Sequence, residues 1–350
     1  MTQPITIALD AMGGDKAPGI VLKGADIARK RHPDVKFLLF GDERRVGPIL
    51  KRFPKLAGRC EIRHAPQIIA AEDKPSQALR RGKESSMRLA INAVRDGECG
   101  GVVSAGNTGA LLAMSKFVLK TVAGIDRPAM AGVVPTTRGE SVILDLGANI
   151  ECTADNLVQF AIMGAEFARS VLGVRQPMVG LLNVGTEELK GHEDLKLAAQ
   201  ILRESTSLPL AFEGFVEGDD IGQGTVDVVV TDGFTGNIAL KTAEGTAKFY
   251  SEMLRTAFRR SILSRVGYVL ARPALRAIRK RVDPRTYNGA LFVGLNGVVV
   301  KSHGGTDAIG FANAIGVAAD LIRGRFNEQI VRDLQTISSQ GSPGTEAAVS

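Results

Sequence analysis

At least six short apolar runs in this chain end in the same way: small, hydroxyl, amide or ionic residues, several with glycine, then a helix-like pattern. Ile5–Leu9, Phe37–Phe40, Cys60–His64, Gly101–Ser104, Val142–Leu144, Val179–Leu182, Leu210–Phe212, the Val run before Asp232 and Gly297–Val300 read as strands. Parallel strands joined by crossover helices bring their carboxyl ends to one edge of a sheet, where ligands bind. The rhythm therefore predicts an α/β fold, with a largely parallel or mixed central sheet and helices on both faces.

One junction carries the most chemistry. Gly101-Val-Val-Ser104 runs into Gly106-Asn107-Thr108-Gly109, and Ala110 opens an Ala/Leu/Met helix pattern. The first amides of a helix lack intrahelical acceptors and its dipole is positive there, so an oxyanion or phosphate fits the place. Gly, Ser and Asn are equally at home as plain caps. The motif recurs, however, as Asp232-Gly233-Phe234-Thr235-Gly236-Asn237 between a Val run and another apolar helix pattern. Two such loops argue for one anion site, with Ser104, Asn107, Thr108 and Asn237 assisting the amides of Gly106 to Gly109 and Gly233 to Gly236.

The remaining strand ends supply further candidates. Asp10-Ala-Met-Gly13-Gly14-Asp15 is a glycine loop bracketed by carboxylates, and without G-x-G-x-x-G it is no dinucleotide fingerprint. Asp145-Leu-Gly-Ala-Asn149 and Asn183-Val-Gly-Thr-Glu-Glu-Leu-Lys190-Gly-His192 end two more strands. Lys190, or His303 with Lys301 after the last strand, could polarise a carbonyl or protonate a leaving group. Lys190 reads equally as a surface helix residue.

At 350 residues, with 44% hydrophobic residues, the chain can bury a large core. Residues 1–335 read as a single large α/β catalytic domain and 336–350, rich in Ser, Gly and Thr, as a disordered tail. A net charge of +7 favours acidic partners. With no Trp and only three Tyr the stacking platform for single-stranded nucleic acid is missing, so nucleic acid is not expected. The three cysteines, Cys60, Cys99 and Cys152, have no metal or redox spacing, and neither a metal nor a cofactor is expected. No secretory pattern opens the chain and no apolar run approaches a membrane span, which predicts a cytoplasmic protein or one attached only at a membrane surface.

Two stretches are strongly basic. Lys74, Arg80, Arg81, Lys83 and Arg88 cluster in a partly helical segment that reads by itself as a solvated face. Residues 254–285 interleave ten Lys or Arg with apolar residues against one acid, Asp283, an inserted amphipathic hairpin that Pro273 should divide into two helices. It suits a membrane surface, an acidic protein or a dimer contact.

Taken in order, Leu9-Asp10-Ala-Met-Gly-Gly14-Asp15, Ser104-Ala-Gly-Asn-Thr-Gly109, Asp145-Leu-Gly-Ala-Asn149, Gln159-Phe-Ala-Ile-Met-Gly164, Asn183-Val-Gly-Thr-Glu-Glu188, Asp232-Gly-Phe-Thr-Gly-Asn237 and Asn296-Gly-Val-Val-Val-Lys-Ser-His-Gly304 resemble the bacterial phosphate acyltransferases of phospholipid synthesis. The resemblance covers nearly the whole chain. Glu151 departs from it, where Asp is the family residue, and the tail beyond Gln335 has no counterpart.

The resemblance implies a fold similar to phosphotransacetylases and the isocitrate dehydrogenase group. It implies transfer of a long acyl chain from acyl carrier protein to inorganic phosphate, and a homodimer attached peripherally to the membrane beside a downstream membrane acyltransferase. The carrier is acidic in the family, so either basic stretch could steer it. Such a reaction needs positioning and charge stabilisation without a catalytic triad, because phosphate is already nucleophilic. A coenzyme A-dependent phosphotransacetylase would use the same loops. A non-catalytic membrane-binding protein would leave them without purpose, and a metal-dependent dehydrogenase lacks its carboxylate cluster.

Overall fold

The computed structural model of the chain describes residues 5–205, 208–283 and 285–339. It begins with β1 (Ile5–Asp10), α1 (Gly19–Arg31), β2 (Val35–Gly41), α2 (Glu43–Leu50), α3 (Pro54–Ala57), β3 (Cys60–His64), α4 (Pro75–Arg81), α5 (Ser86–Arg95), β4 (Gly101–Ser104) and α6 (Thr108–Leu119). There follow β5 (Ala129–Pro135), β6 (Glu140–Leu144), α7 (Ala154–Phe167), β7 (Met178–Leu182), α8 (Glu193–Glu204), β8 (Ala211–Val216), α9 (Gly218–Gln223) and β9 (Val228–Val230). Two long helices, α10 (Gly233–Arg259) and α11 (Ile262–Arg281), precede β10 (Ala290–Val293), β11 (Val298–Lys301), α12 (Ala308–Arg323) and α13 (Phe326–Ser339).

All the named strands form one 11-stranded sheet in the order β3-β2-β1-β4-β11-β10-β5-β6-β9-β7-β8. From β3 to β11 the pairings are parallel, and they are parallel again from β6 to β8. Between these blocks β10 lies antiparallel to β11 and β5, and β5 antiparallel to β6. The second block therefore runs opposite to the first along the ladder. The mixed α/β sheet expected from the strand-end rhythm is what forms, and the two strands that the rhythm does not mark, β5 and β10, are the antiparallel ones.

Strand alternation sends neighbouring residues to opposite faces. Ile7 and Leu9 of β1 join a core with Phe37, Val103 and Phe311, whereas Ala8 joins Leu38, Met87, Val102 and Leu111 on the other side. α1, α7, α8, α12 and α13 contribute to the first core and α4, α5 and α6 to the second, so helices cover both faces. Each fully buried Leu or Phe contributes about 2 to 3 kcal/mol.

Helix ends follow the sequence closely where caps are present. Thr153 opens α7 with a reciprocal capping box, its side chain accepting from Asn156 N and the Asn156 side chain accepting from Thr153 N. The basic helical pair divides at Arg260 and Ser261, not at Pro273. Ser261 Oγ accepts from Ser264 N at 3.0 Å and starts α11, within which Pro273 is accommodated. α10 starts well before residue 254, at the repeated glycine loop itself, and only Gly233 and Gly236 of its 27 residues are buried. α13 is helical through Ser339, so residues 336–339 are not the irregular tail anticipated for them; residues 340–350 lie outside the described residues.

Candidate active site

The carboxyl ends of β1, β4 and β11 meet around one buried carboxylate. Asp10, 1% exposed, accepts from Ser86 Oγ at 2.6 Å and Met12 N at 3.2 Å through Oδ1, and from Ser104 Oγ at 2.7 Å through Oδ2. Ser104 Oγ accepts in turn from Gly106 N at 3.0 Å. One side chain thus ties β1, α5 and β4 together. Burial pushes the Asp10 carboxyl above its ordinary range, and the two serine hydroxyls partly offset that.

Glycine is required where these loops cross. A Cβ on Gly13 would fall 2.4 Å from Asp10 Oδ2 and 2.7 Å from Gly106 N. The third loop is latched by hydrogen bonds from Ser302 N to Ser104 O at 2.9 Å and from Asp15 N to Gly304 O at 3.1 Å. Asn288 donates to Ser302 Oγ and Gly310 O and accepts from His303 N.

Lys301 closes the base of this group. It is 8% exposed, its Nζ donates to Ser302 O, and Asp10 and Asp15 act on it electrostatically. Burial pushes its ammonium down to about 8, the two carboxylates opposing the shift. His303, Asp15, Lys16 and Thr108 are exposed at the rim. The amides of Asn107, Thr108 and Gly109, at the start of α6, donate to no protein acceptor among the described residues.

Several candidates turn out to be committed to the protein itself. Asn107 Oδ1 caps Ala110 N, and its Nδ2 donates to the carbonyls of Ala70, Ala71 and Asp73, so it fastens the segment before α4 to α6. Asp10 and Ser104, satisfied by each other, hold loops in place. A carboxylate is in any case the wrong charge for phosphate.

The repeated loop forms a separate group at the ends of β6 and β9. Asp145, fully buried, accepts from the amides of Met130, Gly147, Ala148 and Asn149 and from Asn149 Nδ2, at 2.6 to 3.2 Å. The neighbouring Asp145–Asn149 loop already surrounds an anion of its own. Gly233 N donates to Asn149 O at 2.7 Å, Thr235 N to Asp232 Oδ1 at 2.8 Å and Gly236 N to Asp232 O at 2.9 Å. These three amides already have protein acceptors, whereas that of Phe234 donates to none among the described residues. The Thr235 hydroxyl also donates to Asp232, whose carboxylate occupies the helix N-terminus. Asn237 is exposed.

Lys190 and Asn183 belong beside this second group, after β7. Asn183 closes its own loop, donating to Lys190 O and accepting from Val184 N. Lys190 is exposed and ion-paired to Glu187 at 2.8 Å, which raises its ammonium pKa. Among the described residues no hydrogen bond or ion pair joins Lys190, Asn149, Asn183 or the Gly233 loop to Lys301, His303 or the Gly106 loop. The candidate residues thus fall into two groups, one at the ends of β1, β4 and β11 and one at the ends of β6, β9 and β7, with β10 and β5 between β11 and β6 in the sheet.

Ser86, Lys16 and Asn288 were not singled out by motif. Ser86 is signalled only as part of the Ser85-Ser86 helix start, while Asn288 lies on the unmarked approach to β10.

The family described as fatty acid synthesis protein matches residues 5–329. The phosphate acyltransferase of Rhodospirillum centenum is 61% identical over 339 residues, covering 97% of this chain and 95% of that protein. That of Paramagnetospirillum magneticum is 55% identical over 349 residues, 99% of each. The chain belongs to the phosphate acyltransferase family. Among solved structures, a phosphotransacetylase from Streptococcus pyogenes shares the fold, with TM-score 0.62, 17% identity and coverage of 91% of this chain and 94% of that one.

Membership makes this phosphate acyltransferase family protein an acyltransferase, and its thiols are poor candidates for a covalent intermediate. Burial pushes Cys60, Cys99 and Cys152 each up to about 12, leaving them protonated at neutral pH. No helix among the described residues is long and apolar enough to cross a membrane.

Proposed function

We propose that this chain transfers a long-chain fatty acyl group from the thioester of acyl carrier protein to inorganic phosphate, giving acyl phosphate for phospholipid synthesis. The observation that carries the reading is the first group: free amides of Asn107, Thr108 and Gly109 beside a buried Lys301 and an exposed His303. The amides bind phosphate at the positive end of α6. A phosphate oxygen attacks the thioester carbon, the tetrahedral oxyanion collapses, and the C–S bond breaks. Lys301 or His303 supplies the proton that the departing thiolate takes up. Loss of one donor to the oxyanion costs about 3 kcal/mol in the barrier.

The reading also makes the protein a homodimer attached peripherally to the membrane from the cytoplasmic side. Its support is the α10–α11 pair, where Phe249, Tyr250, Leu254, Leu263, Val269 and Leu270 are exposed among arginines. Flotation with vesicles containing anionic lipid tests it: changing Arg259, Arg260, Arg276 and Arg279 to Glu should abolish flotation, and unchanged flotation refutes the membrane contact.

The reaction is tested by thiol release from palmitoyl carrier protein with and without phosphate, trapping acyl phosphate as hydroxamate. Phosphate-dependent release is expected, falling at least 100-fold in Lys301→Met or His303→Ala, whichever supplies the proton. Full turnover in both folded variants refutes their roles. Turnover with a coenzyme A thioester alone would favour a phosphotransacetylase reaction instead.

A further inference from the structure

The Asn107 staple does more than cap a helix. By holding the carbonyls of Ala70, Ala71 and Asp73 it fixes the approach to α4 against the first turn of α6. Pro75, the first residue of α4, then rests on Gly109: a Cβ there would be 2.7 Å from Pro75 Cγ. The outer surface of α4 is thus the immediate neighbour of the free amides at Thr108 and Gly109.

That surface is basic on balance, with four cations against three acids over residues 72–84. Lys74, Arg80, Arg81 and Lys83 are all exposed, and none has an ion-pair partner among the described residues. Arg80 donates only to the carbonyl of Ser76, one turn back. The nearby acids are Glu72, Asp73 and Glu84, and Asp73 is already bonded to Ala70 N. Elsewhere Arg29, Arg63, Arg138, Arg169 and Arg323 each hold a carboxylate; Arg44, Arg45, Lys51 and Lys55 are also exposed without one among the described residues, so the α4 cations are set apart by their place beside the α6 amides. A groove of about 310 Å³ runs alongside, between Gln67, Ile68 and Ile69 on one side and Gln77, Arg81 and Gly82 on the other. Phe117, 62% exposed with Arg88 over its ring at 5.3 Å, adds an aromatic surface on α6.

We propose that the α4 surface, rather than the α10–α11 pair, docks the carrier protein. An acidic face of the carrier meets Lys74, Arg80, Arg81 and Lys83, and its thioester-bearing arm lies in the adjoining groove toward Thr108 and Gly109. Charge complementarity selects the partner, and the staple sets the distance from docking surface to reacting carbon. The inference rests on the carrier-dependent reaction proposed above.

The experiment compares two donors bearing the same acyl chain, one on acyl carrier protein and one on coenzyme A, over a range of salt. The triple variant Lys74→Glu, Arg80→Glu, Lys83→Glu, which spares the groove-lining Arg81, is set against a charge-matched control on and before α3, Lys51→Glu, Arg52→Glu and Lys55→Glu. The surface predicts a KM for the carrier-linked donor raised at least tenfold in the triple variant, a loss of its salt dependence, and kcat within twofold. The control and the small donor stay unchanged. Binding of the unacylated carrier, measured separately, should weaken by the same factor. If wild type uses the carrier-linked donor and the triple variant keeps its KM and carrier affinity within twofold, docking is elsewhere and this surface is refuted. If wild type uses only the small donor, the carrier-dependent reading falls and the surface with it.

Discussion

Two buried aspartates do most of the organising in this protein. Asp10 and Asp145 each follow a leucine at the end of a parallel strand, and each lies beside a strand with a hydroxyl residue at its end, Ser104 closing β4 and Thr231 directly after β9. Both carboxylates are raised by burial and held by short hydrogen bonds. Asp10→Ala should therefore cost about 3 kcal/mol of stability, because Ser86, Ser104 and Met12 N are left without an acceptor, and Ser86→Ala about 1 kcal/mol; urea unfolding of both variants measures this. Lys301 gives a pH signature. Its folded pKa of about 8 lies below the ordinary 10.5, so between those values the unfolded chain holds the proton and the folded chain does not. Stability contributed at this position accordingly rises as pH climbs from 8 to 10.5. Wild type should gain stability over that window relative to Lys301→Met. If the ammonium is the proton donor, kcat falls above pH 8 in wild type, while Lys301→Arg moves that limb out of range.

At the scale of elements, the two glycine loops look alike and do different things. In the first, the glycines let one loop cross another while the α6 amides stay free. In the second, they let backbone meet backbone: a Cβ on Gly236 would lie 2.0 Å from Asp145 O. Gly236→Ala should therefore destabilise by about 3 kcal/mol or prevent folding, as a thermal melt would register, whereas at Gly58, where a Cβ meets nothing within 4 Å, alanine should be tolerated. The sequence made the parallel strands legible through the residues that end them, except that the strand read as Leu210–Phe212 runs on through Glu213 and Gly214 to Val216. It did not separate the loops, since an amide aimed at a ligand and one aimed at the protein's own carboxylate have the same spelling. β5 and β10 escaped for a related reason: neither opens a glycine loop into a helix, and β5 reads Ala-Met-Ala-Gly-Val-Val-Pro without alternation. Pro273 was overvalued as a breaker, because the serine cap at Ser261 already defined the boundary.

In the whole molecule, the chain leaves the first parallel block through β5, builds the second block from β6 to β9, and returns through β10. The second block is continuous in sequence; the first is not. A chain ending at residue 285 should keep hydrogen-exchange protection in β6 to β9 and lose it in β1, β2 and β4, since β11 and α12 are missing from their sheet and core. Uniform protection, or none at all, would contradict that division. The pairing of β11 with β4, Val298 beside Gly101, closes a loop of nearly two hundred residues. Such closure is slow, and synthesis from the N-terminus orders it further. The strands that leave the ribosome first must wait for almost the last ones, so the half of the protein bearing Lys301 and His303 is begun first and completed last, and a nascent chain can acquire its reactive edge only when it is nearly whole.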